Sequence, residues 1–436
     1  MHAFTRRRSR AVAATATLVF TAAVAHVPAA EASAFAALPQ VVPRAETAAL
    51  FDDHEGGNAN ADDPAIWRNL ADPDASLVIA TAKEGGLRVY DLDARQVQSV
   101  PAPAAPGADD APGRFNNVDL VHRTPLGTGR TDLAVVSDRG SDKLRIYRVD
   151  GDRPDAPLTD VTDPLAPWIF SGSQEEVNQE RTAYGLAAYT DSATGRSYAL
   201  VSQNATTRIA LLELTTTRGG TVSYRKVRTL DLPAAFTMPD GTKWSPCGDP
   251  GEGPQVEGMV VDPETGTLFA GQEDVGIWRL RADLKGTPVL QDKVREYGMP
   301  ATYDEASDAC VVGDDPGFGG VRVSADVEGL TLVRQDDGDG YLLASSQGDD
   351  TFVAYDRERS DGYEYEGGFR VGAASQSLDG SEECDGADAV AEPLGRRYPN
   401  GLLVVQDGHA TPEDGDREAT GFKFVDLGDV LEALDD

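Results

Sequence analysis

Residues Leu133 to Val149 read LAVVSDRGSDKLRIYRV: an apolar run, a short polar turn, then a strand in which apolar and polar residues alternate. This is the pattern of a β-hairpin whose first strand is covered on both faces and whose second is covered on one. The unit recurs as LVIATAKEGGLRVYDL from Leu77, YALVSQNATTRIALLEL from Tyr198, LFAGQEDVGIWRL from Leu268, YLLASSQGDDTFVAYDR from Tyr341 and LLVVQDGHA from Leu402. The last finds its partner strand, FKFVDL from Phe422, after a longer loop. The copies start 56 to 73 residues apart, longer than solenoid repeats of about 20 to 45 residues and suited to four-stranded blades with insertions. Six such units predict an all-β chain folded as a six-bladed β-propeller.

Upstream of each hairpin lies a further short strand headed by polar residues: DDPAIW from Asp62, NNVDLV from Asn116, AYGLAAY from Ala183, VEGMVVD from Val256, VEGLTLV from Val327 and DGADAV from Asp385. These are the candidate innermost strands, and innermost strands line a propeller's central channel, so equivalent residues converge on one rim. Five of the six carry carboxylates there, namely Asp62 with Asp63, Asp119, Glu257, Glu328, and Asp385 with Asp388; the sixth offers Tyr184. A single acid at a strand start is most simply a turn cap. Repetition at equivalent positions changes that: converging carboxylates repel and drift toward protonation unless cations neutralise them, and calcium takes six to eight oxygen ligands in flexible geometry. Glu273 and Asp274 in the fourth turn, Asp326, Asp379 and Asp407 add acids on the same side, whereas Lys83 and Arg139 occupy matching positions in the first and second turns. Lysine, arginine and tyrosine beside bound cations are what a phosphate group needs for charge-assisted hydrogen bonds.

The chain has 436 residues and a net charge of −34, which argues against nucleic acid as a partner. Arg6, Arg7, Arg8 and Arg10 precede an apolar run from Ala11 to about Val27, followed by Ala32-Ser33-Ala34. This is the form of an export signal, too short to span a membrane comfortably. The expected organisation is a signal peptide over 1–34, an N-terminal extension over 35–57 and the propeller domain over 58–436, secreted as a monomer with no membrane attachment. Of three cysteines, Cys247 and Cys310 both lie in Pro/Gly/Asp-rich insertions and are paired, leaving Cys384 as the spare thiol. Trp67 and Trp278 end apolar strand runs and are read as packing between blades.

DDPAIW, ATAKEGGLRVYDL, NNVD, AYGL, VEGM, QEDVGIWRL, ADVEGLT, LLASSQGDDTFVAYDR, LDGSEECDGAD and VQDG together resemble the β-propeller phytases, calcium-dependent enzymes that dephosphorylate myo-inositol hexakisphosphate. The likeness runs from about residue 60 to residue 427 and is that of a secreted, actinobacterial-type 3-phytase. It implies several Ca2+ ions held by Asp63, Glu257, Glu273, Asp326, Glu328 and Asp379, with Asp62, Asp385, Asp388 and Asp407 as further ligands. It also implies that a calcium-activated water attacks phosphorus directly, with Lys83, Arg139, Tyr184 and Glu257 as catalytic residues, the first three gripping the phosphate being cleaved. The chain departs from the family pattern at Glu84 and Asn204, where lysines are usual, and Arg208 is the candidate substitute. Two other readings fit a calcium-bearing mouth: a propeller lactonase or esterase, which needs a base such as His122 or His409, and a non-catalytic binding propeller.

Overall fold

The computed structural model describes residues 38–53, 59–127, 129–307, 309–335, 338–357, 362–411 and 417–435; the predicted export signal lies outside them. Six antiparallel sheets follow one another along the chain. Blade 1 comprises Pro64–Trp67, Leu77–Thr81, Leu87–Tyr90 and Gln96–Val100. Blade 2 comprises Phe115–Leu126, Gly129–Asp138, Lys143–Val149 and Leu158–Asp160. Blade 3 comprises Ala183–Thr190, Ser197–Gln203, Arg208–Thr216 and Val222–Asp231. Blade 4 comprises Val256–Asp262, Thr267–Gln272, Gly276–Arg281 and Val289–Lys293. Blade 5 comprises Leu330–Arg334, Gly340–Ser346, Thr351–Asp356 and Tyr365–Val371. Blade 6 contributes Ala387–Val390, Leu402–Asp407 and Ala419–Asp426.

The core lies between blades rather than in one central mass. Trp67, Ile79, Val89, Leu120, Val136 and Tyr147 join blades 1 and 2, and Val135, Leu144, Leu186, Val201 and Leu212 join blades 2 and 3. Trp278 belongs to the largest cluster, across blades 3 to 5. The second strand of each blade is apolar on both faces because it has a neighbouring blade on either side, which is why the hairpins begin as unbroken apolar runs.

Blade 6 borrows its fourth strand from the other end of the chain. Ala45–Glu46 pairs antiparallel with Phe424 and Lys423, Leu50–Phe51 pairs with Thr420 and Ala419, and Gln40–Val41 runs parallel to the outer strand of blade 5. The compact unit therefore spans Leu38–Asp436, and within the expected extension over 35–57 residues 40–41, 45–46 and 50–51 pair into blades 5 and 6. Two-residue strands are too short for a period-2 pattern to reveal them. The C-terminal helix Leu427–Asp435 buries Leu427 and Val430 against blades 5 and 6. The insertions after blades 3 and 4 are joined by the expected Cys247–Cys310 disulfide, and Cys384 is free and buried. No helix among the described residues is long and apolar enough to cross a membrane.

Candidate active site

One structural device builds the rim of the channel. At the start of the inner strands of blades 2, 3 and 4 the ladder slips, between Phe115 and Val118, Ala183 and Leu186, and Val256 and Met259. Such bulges re-aim side chains at the end of a sheet. The freed amides of Asp63, Asn117, Gly185 and Gly329 donate to the hydroxyls of Thr81, Ser137, Ser202 and Ser345 on the adjoining strands. The residue before each amide, and its equivalents in blades 4 and 6, faces the mouth: Asp62, Asn116, Tyr184, Glu257, Glu328 and Asp385. Glycine follows four of them because adjacent blades touch there. A Cβ on Gly185 would lie 2.0 Å from the Glu257 carbonyl oxygen, and one on Gly258 would lie 1.5 Å from that of Glu328.

The turns between second and third strands overhang the same face and supply Lys83, Arg139, Glu273 and Gln347. Lys83 adopts a left-handed backbone (φ 43°), and its ammonium reaches 3.5 Å from Asp385 and 3.9 Å from Asp62. Tyr184 donates its hydroxyl hydrogen to Glu257 Oε2 at 2.5 Å, and Asn116 donates to Oε1 at 2.7 Å. Gln255 donates to both Tyr184 Oη and Glu273 Oε2, at 3.2 and 3.0 Å; Gln347 donates to both Glu328 and Asp385, each at 2.9 Å. The Arg139 guanidinium lies over the Tyr184 ring, 5.5 Å from its centroid. The resulting cleft of about 140 Å³ is lined by Asp62, Lys83, Arg114, Asn116, Arg139, Tyr184, Glu257, Glu328 and Asp385.

Electrostatically the mouth is a trap for cations. Glu257, Glu273 and Glu328 each bring a carboxylate oxygen within 4.8 Å of the others, and all three are buried. Burial, then the neighbouring acids, raises Asp62 to about 7 and Glu257 to about 8, and pushes Glu273 and Glu328 well up. The carboxylates of Asp62 and Asp385 outweigh burial at Lys83 and keep it protonated. Asp326 extends the cluster outward with Asp274; burial raises both, followed by repulsion from Glu296 at Asp326 and from Asp326 at Asp274. Glu273 Oε1 and Asp62 Oδ2 are buried without a hydrogen-bond partner. Unpartnered buried carboxylate oxygens, with no cysteine or histidine among them, form a donor set suited to a hard divalent cation.

Several predicted residues lie elsewhere. Asp63, Asp119 and Asp388 point into the channel below the rim and stitch neighbouring blades, accepting from the amides of Val118, Ala188 and Ile66 at 3.0, 2.6 and 2.8 Å. The rim residue of blade 2 is thus Asn116, not Asp119, because the bulge shifts the register. Asp379 and Asp407 close on the fully buried ammonium of Lys423 together with Glu46, a cluster at the blade 6 closure in which three carboxylates share one lysine. Arg208 does not enter the mouth; it pairs bidentately with exposed Asp231 on the outer strand of its blade. Asn204 turns away and donates to the Glu180 carbonyl. His122 lines the opposite end of the channel and contacts Asp132 at 3.5 Å, while His409 contacts Glu383 at 3.0 Å, so neither serves the carboxylate cluster as an esterase-type base. Sequence reading passed over Arg114, Asn116, Gln255 and Gln347. Gln347 shared the turn position of Lys83 and Arg139, and that position was its signal.

A buried ring of carboxylates and cations at one end of a six-bladed propeller defines a metal-capable, anion-binding pocket. A family model described as Phytase matches residues 8–238 and 252–436. The 3-phytase of Bacillus subtilis (strain 168) is 31% identical over 385 residues, covering 88% of this chain and 83% of that protein. This chain therefore belongs to the phytase family and is a phosphoric monoester hydrolase. Among solved structures, a periplasmic gluconolactonase of Pseudomonas aeruginosa is similar at 16% identity over 68% of each chain, with a TM-score of 0.37; that likeness carries no functional argument.

Proposed function

We propose that the chain is an exported, monomeric, calcium-dependent 3-phytase that hydrolyses phosphomonoesters of myo-inositol hexakisphosphate at the rim described above. The observation that carries this reading is the juxtaposition of the Glu257–Glu273–Glu328 cluster with Lys83, Arg139 and Tyr184 around one cleft. Glu257, Glu273 and Glu328 would hold calcium, with Asp62, Asp326 and Asp385 as outer carboxylates. When bound, calcium supplies Lewis-acid polarisation of phosphate oxygens and lowers the pKa of water. Lys83 and Arg139 bind phosphate oxygens through charge-assisted hydrogen bonds. Tyr184, held protonated by burial and then by the neighbouring glutamates, orients Glu257 through its hydroxyl hydrogen. Gln255 and Gln347 fix the carboxylates in place. The Cys247–Cys310 disulfide suits an oxidising compartment.

Phosphate release from hexakisphosphate at neutral pH, with and without a chelator, tests this reading. Release that stops on chelation and returns with added calcium is expected. No release in calcium would overturn the activity, and unchanged release in chelator would overturn the metal requirement. Export is tested by the mass of protein recovered from the medium: a chain starting after Ala34 is expected, and a chain retaining Arg6 to Arg10 contradicts it.

A further inference from the structure

On blade 4 an arginine lies inside the layer between blades. Ile277, Arg279 and Arg281 share one side of the third strand. Ile277 is fully buried, and Arg279 follows it, flanked by Phe269 and Val289 on the neighbouring strands. The Arg279 guanidinium lies over the ring of Tyr363 from blade 5, 5.0 Å from its centroid, and that ring meets Phe269 edge-on at 5.1 Å. The Arg279 side chain enters no ion pair among the described residues. Its Nε and the hydroxyl of Tyr363, a residue only 2% exposed, are both buried without a hydrogen-bond partner. Each can donate. Two neighbouring buried donors have a desolvation cost that an acceptor oxygen relieves.

A basin of about 270 Å³ opens from Arg279, with Thr265, Thr267, Arg281 and Lys285 as the rest of its polar lining. It is built on the turns that join strands 1 to 2 and 3 to 4 of the blade, at the end opposite the turn that brings Glu273 to the mouth. Asp283 fixes the two outer cations, pairing bidentately with Arg281 at 2.9 Å and lying 3.3 Å from Lys285. Glu264 in the adjoining turn is taken by Arg357 at 2.8 Å. Thr265 donates to Thr267 at 2.9 Å, which leaves the Thr267 hydroxyl hydrogen for another acceptor. Three cations thus face one carboxylate, in a chain of net charge −34. A locally positive concavity on so acidic a surface draws anions.

We propose that this basin is an anion exosite, on the face of the propeller away from the mouth, which takes a phosphate group between Arg279, Arg281 and Lys285. A guanidinium fork, an ammonium and a hydroxyl reaching one point from different sides suit a tetrahedral anion with several oxygens better than a planar carboxylate. The stack on Tyr363 holds Arg279 in place before any ligand arrives. The site stands apart from the calcium cluster and does not depend on the phytase reading.

Calorimetric titration of the calcium-free protein with sodium phosphate, sodium tripolyphosphate and citrate tests the exosite. Saturable binding of a phosphate-bearing probe is expected. Arg279→Gln should weaken it by about tenfold or more, the size of one lost hydrogen bond to a charged group. Arg281→Gln and Lys285→Gln should each weaken it by about threefold, since exposed charges contribute less. Lys83→Gln, in the mouth, should leave it within about twofold. Equal affinity for phosphate and tripolyphosphate assigns the basin to free phosphate, and saturation by tripolyphosphate alone assigns it to a larger phosphorylated molecule. No saturable binding of either probe, citrate bound as tightly as tripolyphosphate, or a loss in Lys83→Gln equal to that in Arg279→Gln overturns the proposal. So does unchanged affinity in Arg279→Gln. Should that variant not fold, unchanged affinity in both Arg281→Gln and Lys285→Gln, at exposed positions, overturns it instead.

Discussion

The hydroxyl of Tyr184 and Oε2 of Glu257 lie 2.5 Å apart, joining the one rim position without a charge or amide to the most crowded carboxylate. This contact, with that from Asn116, opposes the burial and repulsion that push Glu257 up to about 8. Tyr184→Phe removes the donor and leaves the ring. The calcium concentration for half-maximal phosphate release should rise by about tenfold, the equivalent of one charge-assisted hydrogen bond. An unaltered calcium titration would show that the hydroxyl does not tune the cluster.

Glu257→Gln keeps the shape and deletes one charge from the trio. Without calcium the variant should melt at or above the temperature of the unaltered protein, since repulsion is relieved. On adding calcium it should gain less, because a ligand at about 100 times its Kd contributes about 2.7 kcal/mol to a fold that binds it. Melts in chelator and in excess calcium check both signs; a calcium gain equal to that of the unaltered protein removes Glu257 from the metal site.

The raised acids make metal-free stability depend on pH with a definite sign. Asp62, Asp274 and Glu257 ionise near 4 in an unfolded chain but at about 7, 7 and 8 in the fold, so the folded state binds more protons in that window. Their contribution is fully present below about pH 4 and is lost as pH rises through 7 to 8. In chelator the urea midpoint should fall from pH 5 to pH 8.5, and calcium should flatten the decline by favouring the ionised forms. A midpoint that rises with pH in chelator contradicts this account.

Gly258→Ala places a methyl where the Glu328 carbonyl already sits, 1.5 Å from the added carbon. The two blades must separate at the rim, a loss of about 2 kcal/mol or more by comparison with overpacked cores. Denaturant unfolding measures it, and a change below about 0.5 kcal/mol would mean that the rim yields freely.

Arg208→Ala should leave hexakisphosphate kinetics within about twofold and stability within about 0.5 kcal/mol, because an exposed ion pair with Asp231 contributes little. A marked rise in KM would restore Arg208 to the phosphate grip from which its pairing removes it.

The propeller was legible because each hairpin must bury its first strand on both faces, and a run such as LVIAT from Leu77 or LAVVS from Leu133 records that directly. Asp62, Tyr184, Glu257, Glu328 and Asp385 were found because equivalent positions of a repeat converge. The errors have local causes. The bulge between Phe115 and Val118 is invisible in a linear pattern, so Asp119 was placed on a rim that it misses, while Asp388 lies inside the regular ladder of blade 6, below the rim residue Asp385. The partner of Asp379 and Asp407 is Lys423, a lysine inside an apolar strand that reads as an outward-facing residue until Glu46 is brought over it. Asn116, Gln255 and Gln347 escaped notice because amides that orient carboxylates carry no charge of their own.

The borrowed strand Ala45–Glu46 has a consequence for the order of events in the life of the chain. Its partners, Lys423 and Phe424, follow the other five blades in the chain, so those five can leave the ribosome while the sixth still lacks its edge. Until Lys423 and Phe424 arrive the Ala45–Glu46 strand has no partner in blade 6, and the loop that its docking closes contains every intervening blade, a slow, non-local step. A ring locked by that one pairing stays open, and threadable, for as long as the blades between are being made.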